Sequence, residues 1–319
     1  GNTEGLIIRN SKVSIIVNVY NEENNIADFL NSLLNQAFKD FELIIVDDGS
    51  TDSTMSIVEK YATKLDIRTV SLEHVGLIKA RNEGIKSSDK EIVITLDADE
   101  IIDEHCVEKL VDSFKDSDVV AVGGFIDSYG SNWMCRGKRT LSKMVFSLEK
   151  RDNQVTKTYG GCSAYRRAVI EELGGMGVDD AAGDTSFSIK MHKAGLNVML
   201  RDDAIVYHKE PGNLQAVIRR EIKQGDASFN FCYKYKMLSN WKVLSRFFPL
   251  VLLSLLVFSW KLAFLGFFST FLITLFLVKN IKSGFSDKIY GWIVLTYTSF
   301  WWSLGFLGSL VVNFARKVI

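Results

Sequence analysis

Short apolar runs alternate with amphipathic segments in the first third of the chain, and polar residues follow each run. Apolar runs bounded by turn residues predict strands, here at Val13–Val19, Phe41–Val46, Ile67–Leu72 and Ile92–Leu96. Apolar residues at helical spacing predict helices between these strands, over Ile26–Leu34, Ser53–Tyr61 and Gly76–Ile85. Such alternation produces βαβ units with right-handed crossovers. We therefore predict an α/β fold with a mostly parallel sheet and helices on both faces.

The middle of the chain is less regular. Helical spacing predicts helices over Cys106–Phe114, Ala168–Leu173 and Thr185–Ala194. Short apolar runs predict strands at Val119–Phe125, Val198–Leu200 and Ala204–Tyr207. The pattern from Tyr129 to Tyr159 favours neither element.

The last third of the chain is strongly apolar, and its pattern predicts membrane segments. Phe247 to Val278 is apolar apart from Lys261, and it is longer than the roughly 20 residues that one crossing needs. It fits either one long tilted helix or two short helices with a turn at Trp260-Lys261. A further apolar segment runs from Ile289 to Val312, and its tryptophans suit an aromatic belt. We predict two to three membrane helices, since a buried soluble bundle would need polar outer faces.

A segment of mixed character precedes the apolar region. From Leu214 to Phe229, apolar residues at helical spacing are interleaved with Arg219, Arg220 and Lys223. This pattern predicts an amphipathic helix at a membrane interface, and an ordinary surface helix is the alternative. The predicted domains are an α/β domain over residues 1–212, a helical linker over 213–240 and a transmembrane domain over 241–319.

Charge adds an orientation to this picture. Basic residues flank the apolar segments, so the positive-inside rule predicts a multi-pass protein of the cell membrane whose α/β domain is cytoplasmic. The 38 basic and 38 acidic residues cancel, which does not favour a nucleic-acid partner. The four cysteines show no metal-type spacing and are typical of free thiols in a reducing compartment. No basic segment followed by an apolar core opens the chain, so no signal peptide is expected.

Candidate chemistry lies in four short polar groups: Asn18-Val19-Tyr20-Asn21-Glu22, Asp47-Asp48-Gly49-Ser50-Thr51-Asp52, Ala80-Arg81-Asn82-Glu83-Gly84 and Asp97-Ala98-Asp99. The first, second and fourth follow strands, and ligand sites in open α/β sheets lie at the carboxyl ends of strands. Carboxylates at that edge can accept hydrogen bonds from a base or ribose, so either Asp47 or Asp48 can hold a nucleoside. Asp97 and Asp99 offer hard oxygen ligands that suit Mg²⁺ or Mn²⁺ carrying a phosphate-bearing substrate.

These groups, taken in order, resemble the motifs of the family 2 glycosyltransferases, which have the GT-A (Rossmann-like) fold. The resemblance covers roughly Lys12 to Gly225 and rests on VSIIVNVYNEENNI, ELIIVDDGSTDST, GLIKARNEGIK, ITLDADE, GGCSAYRRAVIEELGG and GDTSFSIKMHKAG. It implies that Asp48 contacts the base, that Asp97 lies near the ribose and diphosphate, and that Asp99 ligates a divalent metal. The implied architecture is a GT-A domain followed by an interfacial helix and an α-helical membrane domain.

The resemblance also implies a catalytic base. The family pattern has two acids, Glu-Asp, followed by a helix that ends in Gly. Here Gly183 replaces the first acid, Asp184 is the second, and Gly195 is in register. Inverting transfer needs a base, because an acceptor hydroxyl is a poor nucleophile until its proton is removed. Asp179 or Asp180 is the alternative base, and a helix N-cap before Thr185 is the structural alternative for Asp184.

Two later groups are implied by the same resemblance. His208 stands where some GT-A enzymes complete the metal site, although an ordinary histidine is the alternative. Arg219 and Arg220 stand where processive relatives carry Gln-x-x-Arg-Trp; this chain lacks the Trp, which argues against processive synthesis. Their guanidinium groups suit a diphosphate or an anionic lipid headgroup.

The predicted site residues fall into three sets. Donor-site candidates are Tyr20, Glu22, Asp47, Asp48, Arg81, Asp97, Ala98 and Asp99. Acceptor or diphosphate candidates are Gly161, Cys162, Arg219 and Arg220. The metal candidates are Asp97, Asp99 and His208, holding Mn²⁺ or Mg²⁺.

The expected function is inverting transfer of a sugar from a UDP- or GDP-sugar to a hydroxyl of a lipid-linked or cell-surface glycan. The alternative is a polyprenyl-phosphate sugar synthase, similar to dolichyl-phosphate mannose synthases. Those enzymes typically follow Asp-x-Asp with Leu and a His-Pro-Pro run, whereas Glu100-Ile101-Ile102 follows here. A non-catalytic membrane scaffold is a third class, which the intact Asp97 and Asp99 pair disfavours.

Overall fold

A computed structural model describes the chain over residues 12–151, 158, 160–177, 183–210, 213–234, 244–279 and 281–318. Its contacts divide the chain into two compact units. The first, called the sheet unit, comprises Gly1–Ile126, Asn153–Val178 and Gly183–His208. The second, called the helical unit, comprises Asp127–Asp152, Asp179–Ala182 and Lys209–Ile319. The boundaries predicted at 212 and 240 stay predictions.

The predicted alternation of strands and helices is confirmed in the first third, with ends shifted by one or two residues. The elements are β1 (Val13–Val19), α1 (Ile26–Leu34), β2 (Glu42–Asp47), α2 (Thr54–Glu59), β3 (Ile67–Ser71), α3 (Leu77–Ser87) and β4 (Ile92–Asp97). Buried β-branched and leucine side chains fill the strands, and successive residues of a strand face opposite sides. Ile15 and Val17 pack on one face of the sheet and Ile16 on the other, so both faces are covered.

The middle of the chain differs from the prediction in four places. The elements are β5 (Glu100–Ile102), α4 (Cys106–Asp112), a 3₁₀ turn (Ser113–Lys115), β6 (Val119–Tyr129), α5 (Trp133–Arg151), β7 (Cys162–Arg166), α6 (Arg167–Glu172), α7 (Gly183–Lys193) and β8 (Asn197–Lys209). Strands β5 and β7 were not predicted. The two predicted strands within 198–207 are one strand, β8, because the polar residues between them pair within the sheet instead of turning. Helix α5 lies in the stretch for which no element was predicted.

Within the described residues, eight strands form one sheet in the order β3-β2-β1-β4-β7-β6-β8-β5. Strands β3, β2, β1 and β4 are parallel, and β7 joins β4 in the antiparallel direction. The chain leaves β1 for β2 on one side and returns to β4 on the other, so the strand order reverses between β1 and β4. A crevice opens at such a reversal, outside the carboxyl ends of the strands.

The helical unit consists mainly of α5 and of the helices near the end of the chain. These are α8 (Leu214–Lys234), a 3₁₀ turn (Ser245–Phe247), α9 (Phe248–Phe258), α10 (Trp260–Leu277) and α11 (Phe285–Val318). The predicted helix over 214–229 is confirmed and extends to Lys234. The apolar stretch 247–278 is two helices, and the Ser259 hydroxyl between them caps α10 by accepting from the N–H of Leu262.

One described helix, α11, is long and apolar enough over Phe285–Asn313 to cross a membrane. Helices α9 and α10 have 11 and 18 residues, fewer than the roughly 20 that a crossing needs. The predicted second and third crossings therefore gain no support from the described residues.

Helix α11 packs closely on α5 and α8 inside the helical unit. A Cβ on Gly305 would meet the backbone of Ile222, and one on Gly225 would meet the backbone of α11 at Phe306, 2.8 Å away. Small residues at such crossings let helix backbones approach each other. On the side of α5, Arg136 Nε donates to Oδ1 of Asp287 at 2.6 Å. The amphipathic helix α8 thus places part of its surface against α11.

Candidate functional site

The crevice at the reversal of strand order is lined by residues that end β1, β2 and β4. In the sheet register Asn18 of β1 is opposite Asp97 of β4, and Val19 is opposite Asp47 of β2. The polar groups that follow these strands therefore share one edge, as predicted. Ala98 lies between Asp97, which ends β4, and Asp99, which follows in the turn. Its side chain is buried and packs in the core.

Arg81 of α3 connects two of the predicted site residues. Its Nη2 donates to Oδ1 of Asp97 at 2.9 Å, and its Nη1 donates to Oδ1 of Asp184 at 2.7 Å. The side chain is only 2% exposed. Burial lowers the pKa of the guanidinium, but the charges of Asp184 and Asp97 outweigh burial and leave that pKa above its ordinary value. Arg81 is thus a buried cation shared by two carboxylates from distant parts of the sequence.

Asp184 lies in the first turn of α7, so the structure places it inside the helix and not at an N-cap. Its carboxylate bonds to Arg81, and about a quarter of the side chain (24%) is exposed. Gly183 precedes it where the family pattern has an acid, and a Cβ there would meet Cγ1 of Ile78 at 2.6 Å. The side chain of Ile78 therefore occupies the space that a longer residue at 183 would need. The alternative bases Asp179 and Asp180 lie outside the described residues.

The backbone of Gly160 and Gly161 forms one wall of this acidic group. A Cβ on Gly160 would lie 2.6 Å from Nη1 of Arg81, and one on Gly161 would lie 2.8 Å from Oδ2 of Asp97. Any side chain at these positions would displace the ion pairs. Cys162, a predicted acceptor or diphosphate residue, is fully buried with its Sγ 3.8 Å from that of Cys106, so its thiol belongs to the core.

Asp99 and His208 form the second pair of the site. Strands β5 and β8 are antiparallel with Glu100 opposite His208, and this register brings Nε2 of His208 to 3.1 Å from Oδ2 of Asp99. Two ligands at right angles on an ion about 2.1 Å away are about 3 Å apart, so this separation fits a divalent cation. In the described part of the chain no group of three or more His, Cys, Asp or Glu side chains converges on one point.

Glu100 is a buried acid that sequence reasoning did not place in the site. It is 1% exposed, and its Oε2 accepts from the N–H of Asp97 at 3.3 Å. Burial, together with the charges of Asp97 and Asp99, raises the pKa of this carboxyl well above its ordinary value. A charged residue directly after Asp-x-Asp was the available signal, but its burial depends on β5, which was not predicted.

The Asp48 carboxylate organises the loop before α3. It accepts from the N–H of Val75 at 2.6 Å and of Gly76 at 3.0 Å, and His74 Nδ1 lies 3.3 Å from its Oδ2. The ring of His74 packs against that of Tyr20, with centroids 4.2 Å apart. Tyr20 is 45% exposed, so an aromatic surface faces solvent next to the buried Asp48. His74 was not predicted, and no local motif marks it.

Asp47 and Glu22 complete the predicted donor-site set. Asp47 Oδ1 accepts from the N–H of Ser50 at 2.9 Å and so shapes the turn after β2. Glu22 Oε2 accepts from Nδ2 of Asn25 at 2.9 Å. Burial raises the pKa of Glu22, and the charges of Asp99 and Asp97 act in the same direction. The ionisation of Glu22 is therefore coupled to the charges of Asp97 and Asp99.

The two predicted arginines of α8 belong to the helical unit. Arg220 Nη1 donates to Oε2 of the buried Glu210 at 3.1 Å, and Lys138 Nζ donates to the same oxygen at 2.7 Å. Arg219 is exposed. The two neighbours therefore have different surroundings, one in an ion-pair network and one at the surface.

The residues that line this crevice lie mostly within one segment that matches a known family. The model of glycosyl transferase family 2 matches residues 14–174, which is just over half of the chain. The chain belongs to this family. The predicted family membership and the GT-A-like α/β fold are thereby confirmed, and the matched range contains β1 to β7 with the Asp47, Arg81 and Asp97 groups.

Individual relatives in the family share parts of the chain. Poly-beta-1,6-N-acetyl-D-glucosamine synthase of Staphylococcus epidermidis is 25% identical over 225 residues, which cover 66% of this chain and 53% of the synthase. The chain thus spans about half the length of that relative. The solved structure of Staphylococcus aureus TarS 1-349 in complex with UDP-GlcNAc is 21% identical, with a TM-score of 0.53 and coverage of 89% of this chain and 90% of that one.

A second solved structure covers more of the chain. The mannosyltransferase PcManGT from Pyrobaculum calidifontis, in complex with GDP-Man and Mn²⁺, has a TM-score of 0.66 at 18% identity. The match covers 94% of this chain and 87% of that one. At this identity the likeness establishes the fold and leaves the chemistry to the residues of this chain.

Proposed function

We propose that this family 2 glycosyltransferase moves a sugar, with inversion, from a nucleoside-diphosphate donor to a hydroxyl of a lipid-linked or cell-surface glycan. One observation carries the proposal: Arg81 holds Asp184 beside Asp97, with 2.7 and 2.9 Å hydrogen bonds to the two carboxylates. Asp97 ends the strand at the crevice where α/β sheets bind their ligands. A base candidate is therefore fixed next to the donor side of the crevice.

In this mechanism Asp184 removes the proton from the acceptor hydroxyl as that oxygen attacks the sugar. An acceptor hydroxyl needs such a base, because it is not ionised at neutral pH. Arg81 occupies Oδ1 of Asp184, while Oδ2 faces the backbone at Gly160. We assign the proton transfer to Oδ2. Arg81 is a positioning residue, since its buried guanidinium fixes the rotamer of Asp184 through this hydrogen bond.

Asp99 and His208 would hold a divalent ion, Mn²⁺ or Mg²⁺, with Asp97 close by. The 3.1 Å spacing of the Asp99 and His208 donor atoms suits one ion. Such ions are often bound by one or two carboxylates and completed by substrate phosphates. When bound, the ion would supply positive charge for the leaving nucleoside diphosphate. The Mn²⁺ in the PcManGT complex supports this assignment by fold.

The donor is assigned as a UDP- or GDP-sugar. The solved complexes of two structural relatives contain GDP-Man and UDP-GlcNAc, and both are nucleoside-diphosphate sugars. In this chain the exposed Tyr20 ring beside His74 provides a surface on which a base can stack. Asp48 accepts a hydrogen bond from the loop that carries His74. It therefore positions the His74 and Tyr20 rings for the base, in addition to any direct contact with the base.

The acceptor is assigned to the membrane on the basis of the helical unit. Helix α11 is apolar over the length of a crossing, and basic residues flank the apolar segments. We therefore place the protein at the cell membrane with its sheet unit on the cytoplasmic side. A lipid-linked or cell-surface glycan is the acceptor that such an anchor brings within reach.

The test is a donor screen with the purified chain, Mn²⁺ and a membrane lipid extract, in which product mass is read. UDP- and GDP-sugars are offered singly, and the Asp184→Asn variant is the control. We expect one donor to yield a product larger than the acceptor by one sugar, and no product with the variant. A lipid monophosphosugar formed from polyprenyl phosphate, with turnover kept in the variant, would replace this proposal by the polyprenyl-phosphate synthase.

A further inference from the structure

A groove of about 630 Å³ lies between α8 and α11, inside the helical unit. One wall is the face of α8 that carries Arg219, Lys223 and Asp226, at positions i, i+4 and i+7. The other wall is the face of α11 that carries Leu304, Gly308 and Val312, at positions i, i+4 and i+8. Residues at these spacings share one side of a helix. The α8 side, called the polar wall, is mainly polar but includes Ile222; the α11 side, called the apolar wall, is mainly apolar but includes Ser309 and Asn313.

The polar wall carries two cations. Arg219 and Lys223 are both exposed, and within the described residues neither forms an ion pair with another side chain. Asp226, further along the wall, accepts a hydrogen bond from the Ser309 hydroxyl. Its carboxylate is therefore bonded to α11. Guanidinium and ammonium groups one helical turn apart form charge-assisted hydrogen bonds to phosphate oxygens.

The apolar wall belongs to the helix that is long enough to cross a membrane. Leu304 and Val312 are 40% and 50% exposed. Gly308 lies between them, and a Cβ placed there meets no heavy atom within 4 Å. The glycine thus leaves open space along an apolar surface. An aliphatic chain that lay in this space would cover both side chains.

We propose that this groove binds a bilayer phospholipid, with the phosphate on Arg219 and Lys223 and an acyl chain along Leu304, Gly308 and Val312. The charges match the headgroup and the apolar wall matches the chain. This inference rests on the part of the proposed function that places α11 in a bilayer, and it does not depend on the transfer chemistry.

The first test measures lipid binding to the full chain in micelles of a non-ionic detergent by native mass spectrometry. Phosphatidylglycerol is compared with a diacylglycerol that has the same chains but no phosphate. We expect phosphatidylglycerol to bind to the parent chain. The double variant Arg219→Gln with Lys223→Gln should lower that affinity about tenfold or more, because each basic residue near a lipid phosphate adds to the binding free energy. The charge-matched control is Lys279→Gln with Lys282→Gln, two exposed lysines outside the groove. Equal weakening by the control would show bulk attraction and overturn the proposal.

The second test fills the groove and leaves its charges in place. Gly308→Leu adds a side chain in open space on a helix, so the fold is retained, and we expect phosphatidylglycerol affinity to fall about tenfold. Unchanged affinity would overturn the proposal, as would displacement of the lipid by millimolar inorganic phosphate, because the apolar wall would then contribute nothing.

Two further arms separate the source of the lipid and the dependence on catalysis. We expect phosphatidylglycerol to bind at least as tightly as polyprenyl phosphate, and clearly tighter binding of polyprenyl phosphate would overturn the assignment to a bilayer phospholipid. The Asp184→Asn variant should bind lipid as the parent does. Loss of transfer with retained lipid binding would count against the proposed function alone, and retained transfer with no lipid binding would count against the groove alone.

Discussion

The buried Arg81 and the partly exposed Asp184 form an ion pair, with Nη1 of the arginine 2.7 Å from Oδ1 of the aspartate. The two residues are 103 positions apart in the sequence. The same guanidinium reaches Asp97, so helix α3, strand β4 and helix α7 meet at one side chain. A group with this position affects both the stability of the sheet unit and the geometry of the proposed base.

The first prediction concerns the stability cost of removing that cation. Arg81→Met removes the cation shared by two carboxylates that are 38% and 24% exposed, and loss of a hydrogen bond to a charged group costs about 1.5–3 kcal/mol. We expect the free energy of unfolding, measured by denaturant titration in detergent, to fall by that amount. Arg68→Met is the control, because Arg68 pairs with Glu42 while its side chain is 48% exposed, and such surface pairs contribute about 1 kcal/mol or less. Similar losses in the two variants would show that Arg81 has no special structural role.

The second prediction separates donor binding from proton transfer. Asp184→Asn keeps the size of the side chain and its bond to Arg81, but the amide cannot accept a proton. We expect turnover to fall about 10²- to 10⁴-fold, with affinity for the nucleoside diphosphate nearly unchanged by calorimetry. Asp118→Asn, at an exposed position of the same unit, should change neither quantity. Near-normal turnover in the Asp184 variant would remove this residue as the base.

The third prediction tests the metal ligands. Asp99→Ala should weaken Mn²⁺-dependent binding of the nucleoside diphosphate by at least about tenfold, or about 1.4 kcal/mol, because one hard oxygen ligand is lost. Titration with and without Mn²⁺ measures the difference. Asp116→Ala removes an exposed aspartate elsewhere and should keep the full Mn²⁺ effect. The ligand role of Asp99 is wrong if its variant responds to Mn²⁺ as the parent does.

The fourth prediction concerns the pH dependence that Glu100 gives to stability. Burial raises the pKa of this carboxyl in the folded state, so the folded chain binds a proton that the unfolded chain releases above its own, lower pKa. Stability linked to Glu100 is therefore present at acidic pH and falls as pH rises from the unfolded toward the folded pKa. Glu100→Gln is neutral in both states and should flatten this fall above the ordinary glutamate pKa, measured by thermal unfolding in EDTA. The exposed Glu104→Gln control should retain the slope of the parent, and a parent-like slope in Glu100→Gln would exclude the effect.

The strand-and-helix pattern of the first third could be predicted from sequence because each element there has its own local signal. Apolar runs such as Val13–Val19 end in polar turns, and these runs became the parallel core of the sheet. Strand β5 has only three residues, too few for a periodic pattern, and it exists because it pairs with β8. Its formation depends on contacts more than 100 residues away, which periodicity does not record.

The site residues also divide into those that local sequence identifies and those that depend on distant contacts. Asp97 and Asp99 were predicted because strand ends can be identified locally. The partners of Arg81 were not, because they depend on how α3, β4 and α7 pack. His74 gave no motif, and its stacking on Tyr20 depends on the loop that Asp48 holds. Local sequence thus indicates which residues belong to the edge of the sheet, and tertiary packing decides which of them bond to each other.

Gly183 and Ile78 together limit which substitutions this site tolerates. The family pattern has an acid there, but the side chain of Ile78 fills the space that a Cβ would enter. Gly183→Glu alone would collide with Ile78, and trimming Ile78 alone would leave a cavity beside α3, which costs stability. Restoration of the second acid therefore needs the Ile78 side chain to move or to change, and it costs least when both positions change together, so the two positions are epistatic.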